Sequence, residues 1–481
     1  MKKIIALLCI ILTALCLFTS CAVGHVHAYD SDSDSVCDGC GYERVINPLF
    51  TENLASIELP INKGYGYIDG EGNVVIDFQY FEVRDFGSNG LAAVRNKDGI
   101  WGYIDKTGNY VIEPQFDDAS EFSEGFALVS KDGLYSYINE KGELLTDYQF
   151  SRRSWKFENG VANVYSPENK CGYIDKNGNL LADTWFDSVS LFGDNGLAAV
   201  SLNGIYGYMD LTGKMVLEPQ YEYLGSFGER NLAVAKNDGL YGFINKDLQI
   251  SIPLQYEDVH VFENGLAAVK KDGFWGYVNE VGSPVIDHRF ETANFFTKDG
   301  IATVSLGGKW GYIDKNGNKI TDYLFTEADK FDNGFAVVKQ DDKVGIINTK
   351  GEFVIQPEYE SIQYVRNGMA SAKKNGKWGI IDLKGKVVID FQFEFVFAFD
   401  DHGLAVVAYG YDKYGCINTK GEVIVPIDKK EVYVYTDGYI VYSYTPENKP
   451  SLFTELRVIS LADDSIIFDS DEYKQNYSPK G

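Results

Sequence analysis

The chain has 481 residues and a formal net charge of −26, with 45% hydrophobic residues and 49 Gly, 33 Tyr and 30 Phe against only 12 Pro. That balance excludes wholesale disorder and fits an all-β, turn-rich globular chain. It also argues against a nucleic-acid partner, since no basic stripe is present to displace counterions from phosphates, and the acidity reads as a soluble, self-repelling surface.

In chain order, Lys2 and Lys3 precede an apolar run over residues 4–18 that is broken only by Thr13. This is the order of a secretory signal peptide, here residues 1–20, and the run is short for a membrane span. Leu17, Phe18, Thr19, Ser20 and Cys21 resemble a bacterial lipobox, with Phe18 where Leu is usual. The resemblance implies that Cys21 is lipidated and that the exported chain is held on the bacterial membrane, facing outward. Ordinary secretion after the small-residue site Val26, His27, Ala28 is the alternative.

Residues 21–59 read as an N-terminal spacer carrying His25, His27, Cys37 and Cys40. The Cys-x-x-Cys-Gly stretch resembles short modules of exported proteins from anaerobic bacteria. Three readings stand: a tetrahedral zinc site made by the four residues, a local Cys37 to Cys40 disulfide, or an unstructured spacer. Asp30, Asp32 and Asp34 are not a helix-loop-helix calcium loop, because Ser35 stands where Gly is needed and Gly41 where Glu is needed. No other cofactor is expected. Cys171 and Cys416 occupy aromatic slots of the repeat described next and read as small core residues.

From about residue 60 to 426 the chain is a tandem repeat. Its marker is the small residue after the first aromatic slot: Gly66, Gly102, Ser136, Gly172, Gly207, Gly242, Gly276, Gly311, Gly345, Gly379 and Gly415, eleven copies spaced by about 35 residues. Within a copy, apolar runs such as 265–269 and 275–279 flank Asp272 and Gly273. Asp-Gly between two such runs predicts a tight hairpin, because its turn needs positive φ. A second turn runs from Asp314 to Gly317, and Asn139, Asn245, Asn279, Asn348 or Asn418 replaces the Asp in other copies. Exchange with Asn marks a turn residue rather than a metal ligand.

A third run follows, and Pro114, Pro219 and Pro357 are expected to end it, since Pro donates nothing to a ladder. The aromatics after the stop, such as Phe116 and Phe325, and those some six residues later, such as Phe122 and Phe331, are expected to stack copy on copy. Trp101, Trp275, Trp310 and Trp378 precede the marker. They read as core, a ligand-stacking ladder being the alternative. A Gly inside a strand predicts close approach, here by an aromatic lying over it.

The Trp-Gly-Tyr-Ile-Asp core at 310–314, with a later Phe-x-x-Gly-Leu-Ala-x-Val, resembles the bacterial WG repeat. The resemblance implies all-β tandem units, common in exported or envelope proteins, and brings no shared catalytic residue or ligand. The expected fold is a tandem array of about eleven antiparallel β units, open and superhelical or solenoid-like, because eleven exceeds the four to eight blades of one propeller. One or two propellers are the alternative. Residues 427–470 read as a C-terminal cap and 471–481 as a disordered tail.

Of five His, two lie in the N-terminal segment and His260, His288 and His402 at non-equivalent repeat positions, and with no Gly-x-Ser-x-Gly, phosphate loop or His-Glu-x-x-His the chain shows no catalytic constellation. The expectation is a non-catalytic binding or scaffolding protein of the cell envelope, with another envelope protein or a polysaccharide as partner. A carbohydrate-active enzyme is the alternative. Its acids would sit near departures from the repeat, at Arg152, Arg153, Ser154 and Trp155, at Thr184 and Trp185, and at residues 409–413. A purely structural spacer is the third reading.

Overall fold

The computed structural model describes residues 50–59, 64–151, 154, 156–397, 399–400, 402–410, 413–429, 432–434, 438–444, 455–462 and 465–469. Those residues form twelve small antiparallel sheets in chain order, here units 1 to 12. Unit 2 shows the pattern: a short strand Glu82–Val83, the hairpin strands Leu91–Arg95 and Trp101–Asp105, and a third strand Tyr110–Phe116. The tandem array of antiparallel β units is as the repeat implies.

The local chemistry explains each turn. Asp272 and Gly273 both take positive φ, 52° and 81°, the conformation a two-residue hairpin demands. At the second turn the Asp105 carboxylate accepts the backbone N–H of Thr107 at 2.9 Å and of Asn109 at 3.0 Å. Asn139 makes the same pair of bonds to Lys141 and Glu143, which is why Asp and Asn exchange there. Hydrogen bonds, led by the Thr107 hydroxyl, hold the Asp105 carboxyl below its ordinary value.

The third strand differs from the sequence expectation. In eight units it carries a bulge: Trp101 pairs with Phe116 and Tyr103 with Ile112, so two extra residues fall opposite the marker Gly102. Pro114, Pro219 and Pro357 lie inside their strands, Tyr110–Phe116, Met215–Tyr221 and Phe353–Tyr359, and do not end them. They sit in the bulge, where the ladder asks for no N–H. Units 3, 4 and 8 lack the third strand and keep only isolated bridges, such as Tyr135 to Phe150 and Ile138 to Leu144.

The hairpin strands are buried on both faces, so they read as continuous apolar runs rather than alternations. Ala92, Val94 and Ile104 pack with unit 1, while Ala93, Trp101 and Tyr103 pack with unit 3. One core cluster joins each successive pair of units. A further cluster joins unit 12 to unit 1 through Val441, Val458 and Phe468 on one side and Ala55, Ile57 and Ile68 on the other. Strand Leu54–Leu59 is the first strand of unit 1, and the cap segment supplies unit 12, Val432–Val434 to Ile466–Asp469.

The ends of the array therefore meet, and they meet as internal neighbours do. A Cβ on the turn residue Gly213 of unit 5 would lie 1.6 Å from the Leu181 carbonyl oxygen of unit 4, and one on Gly72 of unit 1 would lie 1.5 Å from that of Ile467 in unit 12. The cap segment seats the apolar end of the array on the first unit, so among the described residues the two terminal faces cover each other.

Candidate binding surface

Every recurring residue has a structural partner. Tyr103 donates to the Ser120 carbonyl of the next unit at 2.7 Å and packs on Phe122 at 4.9 Å between ring centroids. Tyr67, Tyr208, Tyr277 and Tyr312 repeat the bond to the carbonyl 17 residues on. Burial pushes these phenols well above their ordinary value. Phe296 and Phe331 stack on Tyr277 and Tyr312 in the same way, so the expected stacking of copy on copy is present.

Trp101, Trp275 and Trp378 are buried, which supports the core reading. What lies over the marker glycine is different from the expectation. A Cβ on Gly102 would meet the Ile112 carbonyl oxygen at 2.7 Å and the Pro114 nitrogen at 2.8 Å, backbone rather than an aromatic. Only at Gly172 and Gly311 are the nearest atoms aromatic, from Trp185 and Tyr323. Both units have the bridged third segment. Cys171 and Cys416 are both buried, in line with a packing role.

With those residues committed to the fold, two surface features stand out among the described residues. The first is the row of residues that directly follow the hairpin turns. Lys309, Lys343, Lys377 and Lys413 hold this place in units 8 to 11, but Ile205, Leu240 and Phe274 hold it in units 5 to 7, exposed by 40%, 39% and 46%. Tyr223, 44% exposed, lies 5.9 Å from Tyr206 between two of these tips. Two acids nearby are engaged: Glu222 and Glu257 accept the turn N–H of Gly239 and Gly273 at 3.2 and 3.1 Å. Sheets packed face to face sit about 10 Å apart, so three successive tips form a short apolar row.

The second feature is a cleft of about 370 Å³ between units 4 and 5, with Thr184 in its lining. Thr184 was one of the departures visible in the sequence; its neighbour Trp185 covers Gly172. Ser154 is buried, whereas Arg152, Arg153 and Trp155 lie outside the described residues, as do Tyr411 and Asp412. Tyr409 is exposed and bonds Gln392 at 3.0 Å. Cys21, His25, His27, Cys37 and Cys40 likewise lie outside the described residues. The tip row itself escaped the sequence reading, although the run Ile205, Leu240, Phe274 against Lys309, Lys343, Lys377 was a readable signal.

The pattern of a WG containing repeat matches ten segments of the chain: residues 65–99, 101–135, 172–204, 206–241, 241–273, 275–310, 310–343, 345–378, 378–411 and 414–443. No curated protein matches. Among solved structures the chain is similar to a eukaryotic initiation factor at 11% identity, covering 79% of this chain and 94% of that one, with a TM-score of 0.34. It is also similar to the extracellular domain of a hybrid two-component system of B. thetaiotaomicron, at 12% identity, 91% and 71% coverage and a TM-score of 0.24. A third is PorZ, a surface component of the type-IX secretion system of Porphyromonas gingivalis, at 10% identity, 86% and 65% coverage and a TM-score of 0.21. Likenesses at these TM-scores carry no argument about role.

Proposed function

The chain belongs to the WG-containing repeat family, and from that premise we propose that it is a non-catalytic binding or scaffolding protein, exported to a bacterial cell envelope. It presents the hairpin-tip edge of units 5 to 7 to another envelope protein. The observation that carries this reading is the exposed row Ile205, Leu240 and Phe274 with Tyr223 between its tips. Protein interfaces are enriched in such aromatic and apolar anchors, and a polysaccharide would ask for polar pairing beside the rings instead. The repeat array supplies a rigid backing, because each tip is fixed by packing on both neighbours.

Export and anchoring rest on residues 2–21, with Cys21 as the lipid site. Labelled fatty acid should enter the wild-type chain and not Cys21→Ser, which should appear in the medium. Equal release of both would remove the anchor from the reading.

The binding role is tested with the full chain and the triple variant Ile205→Ser, Leu240→Ser, Phe274→Ser. Cross-linking in the native envelope should yield a partner with the wild type and lose it with the variant, at unchanged melting temperature. A partner held equally by both would refute the surface. Hydrolysis of a polysaccharide by the purified chain, abolished by a single Asp or Glu substitution, would replace binding with catalysis.

A further inference from the structure

We propose that the cleft between units 4 and 5 is a binding site for an aliphatic cation, an ammonium or guanidinium group on an alkyl stem. The inference rests on the binding role proposed above and gives its partner a chemistry. Leu181, Leu202 and Met215 supply an apolar wall, while Asp183, Glu218 and Thr184 are exposed and place two carboxylates and a hydroxyl on the same cleft. No Lys or Arg lines it. A volume of about 370 Å³ lies in the range of small-ligand sites. Carboxylates beside an apolar wall select a positive head on a hydrocarbon stem, since the stem fills the apolar part and the head is paired rather than left desolvated.

The array contains its own control for this cleft. The junction of units 8 and 9 has the same construction, a bridged third segment, residues 319–325, facing a bulged strand, Phe353–Tyr359. There Phe353 stands at the position of Met215 and packs edge-on against Phe325 at 6.2 Å. Gln340 and Gln356 replace Leu202 and Glu218. In unit 8, Tyr323 is the aromatic over the marker glycine; in unit 4 that aromatic comes one position later, as Trp185, and Thr184 is released to the cleft. Units 4 and 5 thus differ from that junction by the smaller Met215 and by the added carboxylate of Glu218, while Asp183 has its counterpart in Asp322. The cleft is also continuous with the tip row, because Leu202 is the cross-strand partner of Ile205. A basic side chain of a protein seated on the tips could enter it directly.

Two sources share this chemistry: a Lys or Arg side chain of the docked partner, and a free diamine. The test uses the full chain and calorimetric titration with Nα-acetyl-lysine methylamide and with 1,5-diaminopentane, the Nε-acetylated lysine probe being the neutral control. Saturable binding of at least one cation, absent for the control, is expected. The filling variant Met215→Phe and the pair Asp183→Asn, Glu218→Gln should each weaken it at least tenfold. A charge-matched pair on unit 2, Asp98→Asn with Glu113→Gln, should leave it unchanged and so exclude a general effect of the acidic surface. Tighter binding of the lysyl probe assigns the site to a side chain, and of the diamine to a free amine. No saturable binding, or equal loss with the unit 2 pair, overturns the site. If the cleft fails while the tip variant still loses its partner, the binding role survives without this chemistry.

Discussion

Units 3 and 5 are built from the same repeat and share their hairpin, their Asp or Asn turn and their buried Tyr, yet they differ in the third segment. In unit 5 it is the bulged strand Met215–Tyr221, whose backbone runs so close to Gly207 that a Cβ there would lie 2.3 Å from the Leu217 carbonyl oxygen. In unit 3 it is a bridged segment, and the marker position accepts a side chain: Ser136 donates to the Thr146 carbonyl oxygen at 2.6 Å. The marker glycine is thus a demand of the third segment, not of the strand that contains it.

The largest expected effect breaks that demand. Gly207→Ser should destabilise the chain by about 4 kcal/mol or more, because backbone rather than a flexible side chain must move. Ser136→Gly should cost only about 1 kcal/mol, the hydrogen bond plus added backbone freedom. Denaturant midpoints of both variants check the pair.

The closing interface offers a second comparison, between the ends of the array and its interior. Phe468, buried in the cluster shared by units 12 and 1, lies 5.8 Å from Phe78. Phe468→Ala should cost about 3 kcal/mol, within the usual range for a core aromatic. A loss below about 1 kcal/mol would mean that the ends do not share a core in solution.

Smaller effects separate the Tyr and Asp columns. Tyr208→Phe removes the bond to the Gly225 carbonyl and should cost about 1 kcal/mol; unit 6 already carries Phe243 in that place. Asp105→Asn should be nearly neutral and Asp105→Ala should cost about 1 kcal/mol, as the two backbone bonds predict.

The gentlest probe is alkaline pH. Tyr65, by burial and then by its bond to Glu58, and Tyr80, by burial, are each pushed up to about 12 from the ordinary 10.0. The folded chain therefore holds protons that the unfolded chain releases. Their contribution is complete below about pH 10 and is lost as pH rises through about 12. Urea midpoints should be flat from about pH 8 to about pH 10 and fall beyond it.

Much of this architecture was legible in the sequence for reasons of local chemistry. Asp272 with Gly273 and Asp314 with Gly317 announce turns because their backbone conformations are set within four residues. The aromatic spacing announced stacking, which Tyr103 on Phe122 displays. The bulge was not legible, because Pro114 is compatible both with a strand end and with a gap in the ladder. The meeting of the ends was hidden for another reason: Leu54–Leu59 and residues 432–469 lack the Trp-Gly core, and their pairing depends on where a long array returns. Of the candidate site, Thr184 was visible as a departure, but the cleft was not. Its room comes from Met215, remote in sequence and ordinary in type.

The measurement that bears most directly on the account transplants the third segment. Residues 215–221 of unit 5 are replaced by the seven residues 144–150 of unit 3, and the cost of Gly207→Ser is measured in both backgrounds. A glycine demanded by the third segment requires that the penalty of about 4 kcal/mol in the parent fall below about 1 kcal/mol in the transplant. An equal penalty in the two backgrounds would contradict it.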